Sequence, residues 1–131
     1  MSSNPVIAIL DDEPQLRRAL QRLLVAHGFA VVTFERGEDL LVALAAQPMD
    51  CLVLDLYMPG TDGYRVLERI KERQLATPVI LITGHGEATT ASQAIEMGAV
   101  ACLHKPVDAA ELVGAINEAI GFQSPVRHPL S

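Results

Sequence analysis

Residues 51–64 read CLVLDLYMPGTDGY. Cys51, Leu52, Val53 and Leu54 make an unbroken apolar run, followed after a few residues by the turn formers of MPGTDG. A short apolar run bounded in this way fits a strand covered on both faces of a sheet. Asp55 comes directly after it, with Leu56 next. An ionised carboxylate beside a core is costly unless it is paired, hydrogen-bonded or bound to a metal. The position of Asp55 therefore needs a chemical reason.

Working outward from this run, the same pattern recurs. Val6–Leu10, Ala30–Phe34, Pro78–Ile82 and Val100–His104 also read as strands. Between them lie segments of helical period. Pro14–Ala26 carries Leu16, Leu20, Leu23 and Leu24 on one face, and Gly28 closes it. Glu38–Ala46 is the second helix, with Leu40, Leu41 and Leu44 apolar. Gly63–Arg73 is the third, burying Val66, Leu67 and Ile70 and turning Arg65, Glu68, Arg69, Lys71 and Glu72 to water. Ala88–Met97, ended by Gly98, is the fourth, and Asp108–Ile120 the fifth. Strands alternating with helices over short connections predict an α/β protein with a parallel sheet covered on both faces. The expected fold is the flavodoxin-like, doubly wound, five-stranded sheet in the order 2-1-3-4-5, with five helices. Residues 1–121 form the expected domain. Residues 122–131, with two prolines and no periodicity, read as a flexible tail or linker stub.

Composition narrows the function. The 131 residues are 50% hydrophobic and 20% charged, an ordinary globular balance. A net charge of −6 and the lack of any basic run argue against a nucleic-acid surface. The start, MSSNPVIAIL, has no basic segment ahead of its apolar stretch, and no run is long enough to span a membrane. A cytoplasmic location is expected, with Cys51 and Cys102 as unpaired thiols in apolar runs.

In this fold, ligands bind beyond the carboxyl ends of the strands. The first strand stops at Asp11 and Asp12, the third at Asp55, the fourth at Thr83 and the fifth at Lys105. Three clustered carboxylates repel one another unless a cation intervenes, and an all-oxygen donor set suits Mg²⁺. A carboxylate so placed can attack phosphorus and form an aspartyl phosphate. Asp55, on the central strand, is the best nucleophile. Lys105 would balance charge on the transferring group, and Thr83 would donate a hydrogen bond to it. Each residue also has a plainer reading: Asp11 and Asp12 as helix caps, Asp55 as a turn residue, Thr83 as an ordinary strand residue. Lys105 is harder to dismiss, because the only other lysine, Lys71, lies on a solvated helix face. The coincidence of all of them at one sheet edge favours the chemical reading.

ILDDE, LVLDLYMPGTDG, VILITGHG and GAVACLHKPV together resemble the receiver domain of bacterial two-component response regulators, over residues 5–120. ITGHGE is most similar to the nitrogen-fixation type of receiver, often joined to a helix-turn-helix domain. The resemblance implies that Asp55 accepts a phosphoryl group from a sensor histidine kinase or a phosphotransfer protein. It implies Mg²⁺ held by Asp12, Asp55 and the Tyr57 carbonyl, with Asp11 acting through a water. It further implies that Lys105 pairs with the phosphoryl oxygens, that Thr83 swings toward them, and that Lys105–Pro106 is a cis bond. An output partner or a second copy would dock on the fourth helix, fifth strand and fifth helix. The protein would act as a switch, promoting only its own phosphorylation and slow dephosphorylation.

The chain departs from that pattern at Cys102, where the family usually has Tyr or Phe. A thiol does not fill the space that a turning ring would take, so the readout is expected through residues 83–88 and the fourth helix, with Gly84 and Gly86 as hinges. Ala101 and Val107 differ more mildly. His104, on the same strand face as Cys102, is expected to be a partly buried structural histidine.

Rival readings meet specific obstacles. GHGEATT lacks the third glycine of a phosphate loop, and Glu87 would oppose a phosphate. A flavin-binding protein of this fold needs a first loop that cradles phosphate, which Asp11, Asp12 and Glu13 would repel. A Mg²⁺-dependent aspartyl-phosphate phosphatase would want a second acid near Asp55, and Leu56 and Tyr57 supply none. A receiver half of a helix-turn-helix regulator is the alternative within the family. Tyr57 and His85, two residues beyond Asp55 and Thr83, are bulky neighbours expected to slow the hydrolytic water. Tyr57→Asn should therefore shorten the phosphorylated lifetime, followed as loss of the phosphoryl mass over time. An unchanged or longer lifetime would remove Tyr57 from this role.

Overall fold

The computed structural model describes residues 4–58, 61–84 and 91–123. Five parallel strands, β1 (Val6–Leu10), β2 (Ala30–Phe34), β3 (Cys51–Asp55), β6 (Val79–Thr83) and β7 (Ala101–His104), form one sheet in the order β2-β1-β3-β6-β7. Numbered along this sheet alone, that is the expected 2-1-3-4-5. The remaining pair, β4 (Tyr57–Met58) and β5 (Thr61–Asp62), is a small antiparallel hairpin that periodicity does not reveal at two residues per strand.

The alternation of side chains along each strand divides the core in two. On one face Ala8, Leu10, Leu52, Leu54, Val79 and Leu81 pack under α2 (Gly37–Ala46), α3 (Gly63–Glu72) and α4 (Ala91–Glu96). On the other, Ile7, Ile9, Val53, Ile80, Ile82 and Leu103 pack under α1 (Pro14–Ala26) and α5 (Ala109–Gln123). Strands β3 and β6 are buried at every residue, which is why they read as continuous apolar runs.

The expected helix ends hold where glycine supplies a left-handed turn. Gly28, at φ +92°, follows α1, and Phe29 N–H turns back to the Leu24 carbonyl at 3.1 Å. Gly98, at φ +104°, does the same after α4, with Ala99 N–H on the Ala94 carbonyl at 3.0 Å. Other boundaries move by a residue or more. α2 begins at Gly37 rather than Glu38, and α3 ends at Glu72 rather than Arg73. α4 is described only over Ala91–Glu96, so the expected start at Ala88 lies outside the described residues. α5 begins at Ala109, because Asp108 caps it by accepting the Glu111 N–H at 2.9 Å, and continues to Gln123. β6 runs from Val79 to Thr83 rather than from Pro78 to Ile82, and β7 starts at Ala101 rather than Val100. Pro78 offers the sheet only its carbonyl, which accepts from Leu52 at 2.9 Å.

Gly63 joins the hairpin to α3 and lies against the end of β3. Its N–H donates to the Leu56 carbonyl at 3.1 Å. A Cβ there would stand 2.7 Å from Leu56 Cα and 2.8 Å from the Asp55 carbonyl oxygen, both of them backbone atoms. Gly63→Ala should thus displace the end of β3 and destabilise the fold by about 1–3 kcal/mol, the usual cost of overpacking. Urea unfolding measures this directly, and an unchanged midpoint would show that the strand end yields freely.

Candidate functional site

The carboxyl edge of the sheet gathers the expected residues. Asp55 ends β3 and is 3% exposed, while Asp11, just past β1, is 1% exposed. Asp12 is exposed. One carboxylate oxygen from each of the three lies within 4.8 Å of the others. The backbone fixes these positions: Asp11 N–H donates to the Phe34 carbonyl at 3.3 Å, Leu56 N–H to Ile82 at 3.0 Å, and Lys105 N–H to Thr83 at 2.8 Å. Each strand end is thereby tied to its neighbour.

Lys105 answers the charge. Its Nζ donates to Asp55 Oδ2 at 3.2 Å and stands 3.9 Å from Glu13 Oε1. Burial works against the ammonium, but the hydrogen bond and charge of Asp55, with Asp11 and Glu13 behind it, raise its pKa above the usual lysine value. The bond from Lys105 to Pro106 is cis, as the resemblance implies.

Asp11 is the strained member of the trio. Burial pushes its carboxyl up to about 6, the Glu13 N–H draws it back, and the charge of Asp55 raises it again. That N–H lies 2.8 Å from Asp11 Oδ1. The capping reading of Asp11 and Asp12 finds little support. The residue capping α1 is Glu13, without a side-chain cap bond, and Pro14 opens the helix. A cluster of carboxylate oxygen donors suits a hard divalent cation.

Thr83 closes the site on the other side. It is fully buried, and its Oγ1 has no hydrogen-bond partner. Cys102 is half-buried and packs on the cluster that includes Leu81, its register partner in β6. Burial raises the Cys102 thiol, and the nearby Thr83 hydroxyl draws it down. The sulfur is at best a weak acceptor for that hydroxyl. His104, opposite Thr83 in the register, is exposed rather than partly buried. It stands at the end of β7, an edge strand of the sheet. His85 and Gly86 lie outside the described residues, as does the side chain of Tyr57.

Three contributors escape a reading of the sequence. Arg17, one turn into α1, donates from Nη1 to the Asp11 carbonyl at 2.7 Å and pairs with Glu35 at 3.8 Å. Glu13 faces Lys105, and Gly63 leaves room for the end of β3. Only Gly63 carries a signal, as a glycine after a turn at a helix start.

Comparison with known proteins gives the same picture. The model of the response regulator receiver domain matches residues 7–117. The chain is 36% identical over 124 residues to the DNA-binding transcriptional regulator NtrC of Salmonella typhimurium, covering 95% of this chain and 26% of that protein. It is 36% identical over 125 residues to the transcriptional regulatory protein FixJ of Bradyrhizobium diazoefficiens, covering 95% of this chain and 61% of the relative. The crystal structure of FixJ-N superposes with a TM-score of 0.82 at 32% identity, covering 92% of this chain and 95% of the other. The chain thus spans about a quarter of the NtrC relatives and three fifths of FixJ. Fold, sequence match and the acidic edge agree: this chain belongs to the response regulator receiver domains, the phosphoacceptor switches of two-component systems.

Proposed function

We propose that Asp55 is the phosphoacceptor of this switch. One observation carries the assignment: a carboxylate 3% exposed, 3.2 Å from the Lys105 ammonium and grouped with Asp11 and Asp12. Asp55 attacks the phosphorus of a phosphohistidine on a sensor histidine kinase or phosphotransfer protein. The P–N bond breaks, a P–O bond to Asp55 forms, and the imidazole nitrogen leaves with the electron pair. Lys105 follows the charge from the carboxylate to the new phosphoryl oxygens. Thr83 turns its unpaired hydroxyl to the same group. Asp12, Asp55 and the Tyr57 carbonyl would hold Mg²⁺, with Asp11 supporting the site. When bound, this ion offsets charge among the carboxylates and on the transferring group. The protein thus promotes its own phosphorylation and slow dephosphorylation, and acts on no further substrate.

The output follows from a change in partner binding on α4, β7 and α5. Ile95 and Val100 are exposed there at 60% and 41%, beside a groove of about 590 Å³ lined also by Ala99, Ala115 and Ala119. A partner or second copy would dock on that apolar strip. No helix among the described residues is long and apolar enough to cross a membrane. A second reading makes the chain the receiver part of a longer helix-turn-helix regulator. It is favoured by the partial coverage of relatives that are themselves transcriptional regulators.

Incubation with acetyl phosphate and Mg²⁺ should add one phosphoryl group to the intact mass. The adduct should disappear in Asp55→Asn and on chelation of Mg²⁺. An adduct that persists in the folded variant would assign the acceptor elsewhere.

A further inference from the structure

The Thr83 hydroxyl stands apart from the rest of the buried polar groups. Among the described residues it is the one buried side-chain polar atom with no hydrogen-bond partner. Such a group costs the native state the full desolvation of a donor. Thr83 is also the last residue of β6, at the site edge, so its cost is placed where modification occurs.

The register identifies what should have satisfied it. Thr83 pairs with His104 and Leu81 with Cys102, so Thr83, Cys102 and His104 share one sheet face, with Cys102 diagonal to Thr83. His104 is exposed, while Cys102 is half-buried and packs inward. The residue available to the hydroxyl is thus a thiol, whose sulfur is a weak acceptor. A serine in the same place would offer a full oxygen acceptor of nearly the same size.

We propose that Cys102 is a positioning residue that leaves Thr83 unsatisfied in the resting state and thereby favours its turn to the phosphoryl group. This rests on Asp55 being the phosphoacceptor. The thiol fills space against the core and offers the hydroxyl only a weak acceptor. The hydrogen bond made on phosphorylation is then gained without breaking an earlier one. The depression of the Cys102 thiol by Thr83 agrees with their proximity.

The test is a double-mutant cycle read by titration with beryllofluoride and Mg²⁺, a phosphoryl mimic. Cys102→Ser should weaken beryllofluoride binding about fivefold, the size of one net hydrogen bond, and raise the melting temperature of the resting protein. Cys102→Ala, which supplies no acceptor, should bind as the unaltered protein does. In a Thr83→Ala background, the effect of Cys102→Ser on affinity should vanish. A purely packing role would shift stability alike in both backgrounds and leave beryllofluoride affinity unmoved. Undiminished binding by folded Cys102→Ser, or an equal loss without the Thr83 hydroxyl, overturns the proposal while leaving the phosphoacceptor assignment intact. Failure of the unaltered protein to bind beryllofluoride would instead overturn that assignment, and the proposal with it.

Discussion

The structure turns on one ion pair, between the Asp55 carboxylate and the Lys105 ammonium at 3.2 Å. Asp55 is buried at 3% exposure, and a buried charge persists only when paired. The pair does not stand alone. Lys105 also faces Glu13, and Asp11 and Asp12 bring two more carboxylates to the same edge. One ammonium does not balance so many anions. At Asp11 it is chiefly burial that raises the carboxyl to about 6, and the charge of Asp55 adds a smaller push in the same direction. A folded protein that holds its acids in this way is poised for a cation and a transferable anion that rearrange the charge.

The fold makes this arrangement possible through parity. Along β1 and β3 the odd-numbered residues Ile7, Ile9, Cys51 and Val53 face the α1–α5 core, as do Ile80, Ile82 and Leu103 of β6 and β7. Continuing each alternation past the strand end directs Asp11, Asp55 and Lys105 to that side and Thr83 to the other. The two apolar layers below hold the strand ends in fixed register, so the chemistry sits on a rigid platform. Gly63 extends the same logic, since any side chain there would press on the backbone that carries Asp55.

Most of this is legible in the sequence because buried parallel strands announce themselves as apolar runs and their last residues are countable. The strand order, the convergence of Asp11, Asp12, Asp55, Thr83 and Lys105 on one edge, and the closing glycines follow from that. Less legible are contacts set by side-chain reach rather than period. Arg17 reaches the Asp11 carbonyl and Glu13 reaches toward Lys105 by long, flexible side chains that pattern alone does not aim. The hairpin at Tyr57–Met58 and Thr61–Asp62 is too short to show a period. His104 departs from expectation because sharing a strand face says nothing of how far a helix extends to cover it.

The magnitude of the switch constrains how it works. A ligand shifts a two-state equilibrium only by its differential affinity, and a near-complete inversion needs about 5.5 kcal/mol. One new hydrogen bond to Thr83 contributes about 1 kcal/mol, and more if it relieves a buried orphan. Thr83 alone therefore does not carry the transition. With Asp55 as the acceptor, the larger share would come from charge: the redistribution of Lys105 from the buried Asp55 carboxylate to the new phosphoryl oxygens, with the exposed Glu13 counting for less because water screens it. On the proposed assignment Thr83, the last residue of β6, would be the directional element that couples this electrostatic change to the strand.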